Sequence, residues 1–210
     1  MDMNMKKLNK KKGQRVASTE NILACALDLF VKNGYRATTI DVIAAKAGLT
    51  KGAIYFYFKS KDAIMLRLLD QAEEFIVHPI SSHIAGAGPT ADAKLVKFIH
   101  TQSLLGLAGP EHFLLLILVS IEFCGAGNKI ETRVKAIYRR MYAEIEQVIA
   151  QGQRQGMFRT DFGSHELATI VMAAHDGVLV EWYRRPRELS GKSLANALRA
   201  TLLHGLMHKV

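Results

Sequence analysis

The sequence predicts an all-α protein of about nine helices, because apolar residues recur at helical spacing along most of the chain. Only four of the 210 residues are proline, and no run of alternating apolar and polar residues lies between hairpin-type turn pairs. Hydrophobic residues make up 49% of the chain, enough for a sizeable core. We therefore expect either one large helical domain or a small and a medium one.

The positive charge is concentrated near the N-terminus. Residues 1–70 contain 13 Lys/Arg and 6 Asp/Glu, a net charge of +7 out of +9 for the whole chain. Such an excess is typical of a segment that binds phosphate groups. Residues 1–17 are predicted to form a disordered basic tail, which is either a solubilising segment or an arm that lies along DNA. Its basic residues are Lys6, Lys7, Lys10, Lys11, Lys12 and Arg15.

Two helices are predicted at the start of the segment 18–62. Helix 1 runs from about Thr19 to Asn33, and Gly34 ends it. Helix 2 begins at a capping box formed by Thr38 and Asp41. Gly48 then supplies the left-handed conformation that favours a helix end.

Helix 3 gives this segment the form of a helix-turn-helix. Leu49 fills the turn, Thr50 is the N-cap, and the inward face of the helix carries Ile54 and Phe58. A short helix of this kind, packed across a capped helix, is typical of a DNA-binding motif. The outward face presents Lys51, Gly52, Tyr55 and Tyr57.

The rest of the chain, residues 63–210, is predicted to form a helical ligand-binding and dimerisation domain. Helix 4 is capped by Ser60, starts at Lys61 and joins the two domains; Pro79 either kinks or ends it. Helix 6 is apolar nearly all round and should be buried. Helices 5 to 9 are expected at about residues 91–106, 111–124, 129–155, 164–185 and 191–209.

Helices 8 and 9 are predicted to form a dimer interface. Between Leu167 and Val180, helix 8 is apolar around its circumference, so both of its sides must be covered. One side can face the protein's own core, and the other can pair with helix 9 and their copies around a two-fold axis. The alternative is that both helices fold back onto helices 5 to 7.

The segment from Ile22 to Leu69 resembles the DNA-binding domain of the TetR family of bacterial transcriptional regulators. The resemblance implies an all-α homodimer that binds a palindromic operator, with a ligand pocket in helices 5 to 9 and a ligand that usually releases DNA. The matching residues are Phe30, Gly34, Thr38-Thr39-Ile40, Ile43-Ala44, Ala47-Gly48-Leu49-Thr50-Lys51-Gly52, Ile54-Tyr55, Tyr57-Phe58 and Lys61.

Eight residues are predicted to contact double-stranded DNA. Lys51 and Tyr55 can reach base edges in the major groove, and Gly52 lets the backbone approach closely. The resemblance places Tyr57 and Lys61 at phosphate-contacting positions. The alternatives are that Tyr55 is half-buried in the three-helix core, that Tyr57 packs against helix 1 and that Lys61 is a solvated charge. The full set is Thr38, Thr39, Thr50, Lys51, Gly52, Tyr55, Tyr57 and Lys61.

A small, largely apolar effector is expected in the C-terminal domain, held by a few polar groups. Glu122 and Asp176 would favour a lipophilic cation, although a coenzyme A head could still lie on the surface. His175 is either part of this site or a hydrogen-bonded histidine of the core or the dimer interface. The predicted lining residues are Phe98, Gln102, Phe113, Ile117, Ile121, Glu122, Met141, Met172, His175 and Asp176.

Other classes of function find no support in the motifs. No G-x-S-x-G, phosphate-binding glycine loop or Cys-His pair is present, so we predict neither an enzyme nor a bound cofactor or metal. The two cysteines indicate a reducing compartment, and no apolar run approaches the length of a membrane span. We expect a cytoplasmic protein; the remaining alternative is a DNA-binding protein that has no effector.

Overall fold

The computed structural model describes residues 3–207, and that part of the chain forms nine helices, as the sequence predicts. Within it the only strand-like pairing is an isolated bridge between Phe158 and Met207. The helices are α1 (Met3–Asn33), α2 (Ile40–Ala47), α3 (Lys51–Tyr57), α4 (Lys61–Ala85), α5 (Ala91–Ala108), α6 (Pro110–Glu122), α7 (Lys129–Arg154), α8 (Ser164–Arg184) and α9 (Gly191–Leu206).

The first three helices form a small head around a common core. Ile22, Phe30, Ile43 and Ile54 are buried there, so the three helices share one apolar centre. Gly48 ends α2 in the left-handed conformation, with φ 67°, and its N–H bonds back to the last turn. The α2–α3 pair therefore has the helix-turn-helix form that the sequence predicts.

Two boundaries in the head differ from the prediction. The N-cap of α2 is Thr39, whose hydroxyl accepts from the Val42 N–H, and not Thr38. The helix α1 begins at Met3, so most of the predicted disordered tail has a helical backbone. Lysine is a good helix former, and Gly13 alone interrupts this stretch with a poor one. Residues 1 and 2, and residues 208–210, which include the last two residues of predicted helix 9, lie outside the described residues.

The helix α4 continues through Pro79, which the sequence expected to kink or end it. Ion pairs to α7 fix its middle. Glu73 is buried and binds Arg133 and Arg140, the latter at 2.6 Å, while Asp70 accepts from Arg133 at 2.9 Å. Burial alone would raise the pKa of Glu73, but the two guanidinium groups lower it below its usual value. Removing both guanidinium groups would leave the buried Glu73 carboxylate unpaired.

In the larger C-terminal body α5 to α7 pack against α4, α8 packs on α6 and α7, and α9 packs on α5 and α8. The helix α6 buries Leu114, Leu115 and Leu116. The helix α8 buries one side, with Leu167 and Val171, against this core. Within the described residues no single helix is long and apolar enough to cross a membrane, although α5 and α6 together, bent by 100°, meet that criterion of length and composition.

The turn between α6 and α7 is held by one carboxylate. Glu131 accepts from the N–H groups of Gly125 and Gly127, at 2.8 and 2.6 Å, and pairs with Lys135 at 2.6 Å. Both glycines have positive φ, at 78° and 65°, which turns their N–H groups toward the carboxylate. Lys135 and these two N–H groups lower the pKa of Glu131 to about 2. The turn thereby fixes where α6 ends.

Glu131→Gln should melt at a lower temperature than the wild type at neutral pH. Because the pKa of Glu131 falls from 4.5 to about 2 on folding, its stabilisation is complete above the higher value and is lost as the pH falls through the lower one. The difference between the variant and the wild type should therefore shrink between about pH 5 and pH 2, as measured by circular dichroism melting. Glu188→Gln, at an exposed position, is the control. A difference that stayed constant over this range would contradict the role of Glu131.

Candidate nucleic-acid interface and effector site

One face of α3 is exposed and combines a cation, a glycine and aromatic rings. Ile54 is fully buried, which directs Lys51, Tyr55 and Phe56 outward. The Lys51 ammonium pairs with Asp41 at 2.8 Å, and this contact raises the pKa of Lys51. The pair is exposed at both ends, so its free energy is small and Lys51 can exchange Asp41 for another acceptor.

Gly52 is not required by the fold. Its φ is not positive, and a Cβ added there would meet no heavy atom closer than Thr50 Oγ1 at 4.0 Å. Alanine would be the better helix former at this position. The glycine leaves an open patch on the face between Lys51 and Tyr55.

The remaining predicted contacts fall into two groups. Thr39 and Thr50 are exposed N-caps at the starts of α2 and α3, and Tyr57 is half-buried. Thr38, in contrast, is only 1% exposed and donates its hydroxyl to the Gly34 carbonyl at 2.8 Å. Its side chain is satisfied inside the head, which corrects its assignment as a DNA contact.

Lys61 also differs from its predicted role. Its ammonium donates to the carbonyls of Tyr35 and Thr38, both at 2.8 Å, and lies 4.0 Å from the Tyr35 ring centroid. Burial lowers the pKa of Lys61 below its usual value. The charge is therefore used to hold the α1–α2 loop and is neither a free phosphate contact nor a plain solvated charge.

A carboxylate from the body holds the same loop from the other side. Glu122 accepts from the N–H groups of Tyr35 and Arg36, both at 3.0 Å. The Phe123 ring packs edge-on against Tyr35, with 5.0 Å between centroids. We call these residues, with Lys61, the head–body joint. Burial and the hydrogen bond to Asp62 raise the pKa of Tyr35, so the Tyr35 hydroxyl stays protonated in the joint.

The position of Glu122 corrects its assignment to the effector site. It is the last residue of α6, where the side chain reaches the end of α1 instead of the interior of the body. The two N–H groups just beyond α1 lack partners within the helix, and Glu122 supplies both acceptors. The sequence could not show this, because Tyr35 and Glu122 are 87 residues apart.

A small cavity of about 40 Å³ lies between α5, α8 and α9. Its polar lining residues are Gln102, Ser103 and His175, and Trp182 and Leu198 are among its apolar walls. Gln102 is fully buried, and its Oε1 has no hydrogen-bond partner in the described part of the chain. We call this space the Gln102 cavity. A buried acceptor of this kind requires a donor from water or from a ligand.

A larger groove of about 690 Å³ opens between α6, α7 and α8. Its acidic lining residues are Glu131, Glu146 and Asp176, and the Asp176 Oδ2 accepts from the Tyr138 hydroxyl at 3.3 Å. Tyr142 lies beside Tyr138, with 6.2 Å between ring centroids, and Lys135 and Arg139 are further lining residues. Burial and the charge of Asp176 raise the pKa of Tyr138, so its hydroxyl remains a donor. We call this space the α6–α8 groove.

His175 connects the two spaces. Its Nδ1 lies 3.4 Å from Asp176 Oδ1 in the groove, while its ring lines the Gln102 cavity and contacts Phe113. Two consecutive residues of α8 thus line the two spaces, Asp176 the groove and His175 the cavity.

Apart from Glu122, the nine other predicted ligand residues are distributed over three places. Ile117, Ile121 and Asp176 line the groove, and Gln102 and His175 line the cavity. Four others are buried in the core and line neither space: Phe98, Phe113, Met141 and Met172. The sequence reading missed Tyr138, Arg139 and Tyr142, although two tyrosines four residues apart share a helix face and could have indicated a lining surface.

Comparison with known proteins agrees with this architecture. Residues 22–68 match the family model "Bacterial regulatory proteins, tetR family", and residues 126–206 match "BetI-type transcriptional repressor, C-terminal". The fatty acid metabolism regulator protein of Bacillus subtilis is 22% identical over 188 residues, which cover 90% of this chain and 95% of that protein.

Solved structures have the same fold. The MbdR regulator from Azoarcus sp. CIB is 71% identical, covers 91% of this chain and 100% of its own, and superposes with a TM-score of 0.84. AibR, solved in complex with isovaleryl coenzyme A and operator DNA, is 17% identical over 89% of this chain and 98% of its own, with a TM-score of 0.77. The chain therefore belongs to the TetR family of transcriptional regulators.

Proposed function

We propose that this DNA-binding regulator is a homodimeric repressor of a palindromic operator, and that a small effector with a largely apolar body releases it. The observation that carries the proposal is the double role of α6. Ile117 and Ile121 line the α6–α8 groove, while the adjacent Glu122 binds the head. A ligand that moves the end of α6 therefore acts directly on the helix-turn-helix. Because the protein acts on DNA, we also propose a cytoplasmic location for it.

The DNA contacts in this proposal lie on the exposed face of α3 and at the two helix starts. Lys51 and Tyr55 reach bases, and the open patch at Gly52 allows close approach of the helix. Thr39, Thr50 and Tyr57 contact flanking phosphates. Lys61 and Thr38 act indirectly, because they fix the loop that orients α2.

The dimer interface in this proposal is the outer face of α8 and α9. Ile170 is 60% exposed on α8, and Phe162 and Tyr183 are large exposed side chains near its two ends. Large exposed apolar residues of this kind on one helix are typical of a protein–protein contact. A symmetric pair of chains would place two copies of α3 about 34 Å apart or more, which suits two half-sites of a palindrome.

The groove favours an effector that joins an apolar body to an anionic head. Ile117 and Val134 provide apolar walls, and Arg139 makes no ion pair within residues 3–207. Lys135 lines the same opening, where it pairs with Glu131 at 2.6 Å. AibR, although similar in fold alone, was solved with an acyl coenzyme A, a molecule of this composition. We therefore propose an acyl thioester whose acyl group enters toward the Gln102 cavity.

Gly52→Ala should separate DNA binding from folding. The variant is expected to melt at or above the wild-type temperature, because alanine favours the helix and the added methyl group meets nothing. Its affinity for operator DNA should fall about tenfold, since a methyl group forced into a close contact costs about 1–3 kcal/mol. Fluorescence anisotropy on a duplex selected from a random library measures this. Unchanged affinity would remove Gly52 from the interface.

The chain should sediment at twice its mass of 23.3 kDa at micromolar concentration. Ile170→Asp is expected to give single chains without unfolding, because it places a charge in the centre of the proposed interface. Val16→Asp, at an exposed apolar position of α1, should remain dimeric and is the matched control. A wild-type mass of one chain, or two equally dimeric variants, would contradict the proposed interface.

Acyl coenzyme A thioesters should release the protein from its selected duplex, whereas choline and free coenzyme A should not. The panel should include short, branched, aromatic and long acyl groups. Arg139→Gln should weaken the effect about tenfold by loss of a charge-assisted contact. Glu122→Ala should still bind the thioester, as measured by calorimetry, but should no longer couple binding to release. Release by choline alone would overturn the anionic-head assignment, and release unchanged in Glu122→Ala would overturn the coupling.

A further inference from the structure

Phe56 is a large apolar residue whose side chain is exposed to solvent on the proposed DNA-facing side of α3. It is 68% exposed, more than the 48% of Tyr55 beside it. The core of the head is complete without it, because Ile54 and Phe58 already fill the inward side of α3. Exposing a phenyl ring costs hydration free energy in the isolated protein. The position therefore suits a contact that forms only in a complex.

The ring is held in place by two neighbours. Tyr57 packs edge-on against it, with 5.2 Å between centroids, and the Arg15 guanidinium carbon lies 5.4 Å from its centroid. Arg15 belongs to α1, so the basic N-terminal half of that helix reaches the recognition face. The cation over the ring both limits its rotation and brings a positive charge beside it.

The chemistry of phenylalanine narrows what the ring can recognise. It has neither a donor nor an acceptor, so it cannot bond to a phosphate or to a polar base edge. In the major groove the apolar feature of the bases is the C5-methyl group of thymine. Phe56 lies one turn beyond Gly52 on the same face, where the open patch lets the helix approach the bases.

We propose that Phe56 is a specificity-determining residue that packs on a thymine methyl group in each half-site, with Arg15 holding the ring and facing the adjacent phosphate. The inference rests on the proposed entry of α3 into the major groove. It assigns to Phe56 a base preference that depends on one methyl group, separate from any hydrogen bond made by Lys51.

The test removes the methyl group from the DNA and the ring from the protein. In a duplex selected from a random library, each symmetric pair of thymidines is replaced by deoxyuridine, which lacks only that methyl group. At the pair that Phe56 contacts, the replacement should lower the wild-type affinity about fourfold per half-site, the change expected for the loss of one buried methyl group. Phe56→Ala should bind the original duplex more weakly and should lose this sensitivity to deoxyuridine.

Matched variants separate this contact from general effects. Val42→Ala removes another exposed apolar side chain from α2 and should keep the full sensitivity to deoxyuridine. Arg15→Gln should weaken all duplexes equally and lower the salt dependence by about one phosphate contact. Equal sensitivity in Phe56→Ala and the wild type would overturn the inference while leaving DNA binding intact. Failure of the selection to yield any duplex would instead overturn the proposed function.

Discussion

The connection between α1 and α2 depends on two opposite charges that come from different parts of the chain. The carboxylate of Glu122 accepts from the N–H groups of Tyr35 and Arg36. The ammonium of Lys61 donates to the carbonyls of Tyr35 and Thr38. One side chain therefore accepts hydrogen bonds from the loop's N–H groups, and another donates hydrogen bonds to its carbonyls. Moving the head away from α6 would leave a partly buried carboxylate without partners, which is costly. The orientation of the helix-turn-helix is therefore set by the body.

The helix α6 is suited to transmit a change at the groove because both of its ends are fixed. Pro110 is the first residue of α6. After its last residue, Glu131 holds the turn by accepting from the N–H groups of Gly125 and Gly127. Its central leucines are buried, and close packing opposes local bending of the helix. Ile121 and Glu122 are consecutive, so in the proposed release a shift at Ile121 would act on the two hydrogen bonds that Glu122 accepts from the head.

Sequence reasoning located the helices because their signals are local. Apolar spacing and the caps at Gly48, Thr50 and Ser60 act within a few residues, and the structure has them. The functional assignments that failed depend on distant partners. Thr38 and Thr39 are adjacent and chemically alike, yet only packing against α1 decides which is buried. Phe56 received no assignment from the sequence, and its exposure is visible only in the structure.

The same limit applies to the charge of the effector. In the sequence, Glu122 and Asp176 are two acids among apolar residues, and together they favour a cation. The fold moves Glu122 to the joint, and the Glu131 charge is satisfied by Lys135 and two N–H groups. Glu146 lies 3.3 Å from His165. Lys135 is paired with Glu131, so Arg139 is the lining cation that makes no ion pair within residues 3–207, while Asp176 accepts from Tyr138. The proposed contact with an anionic head therefore depends on Arg139.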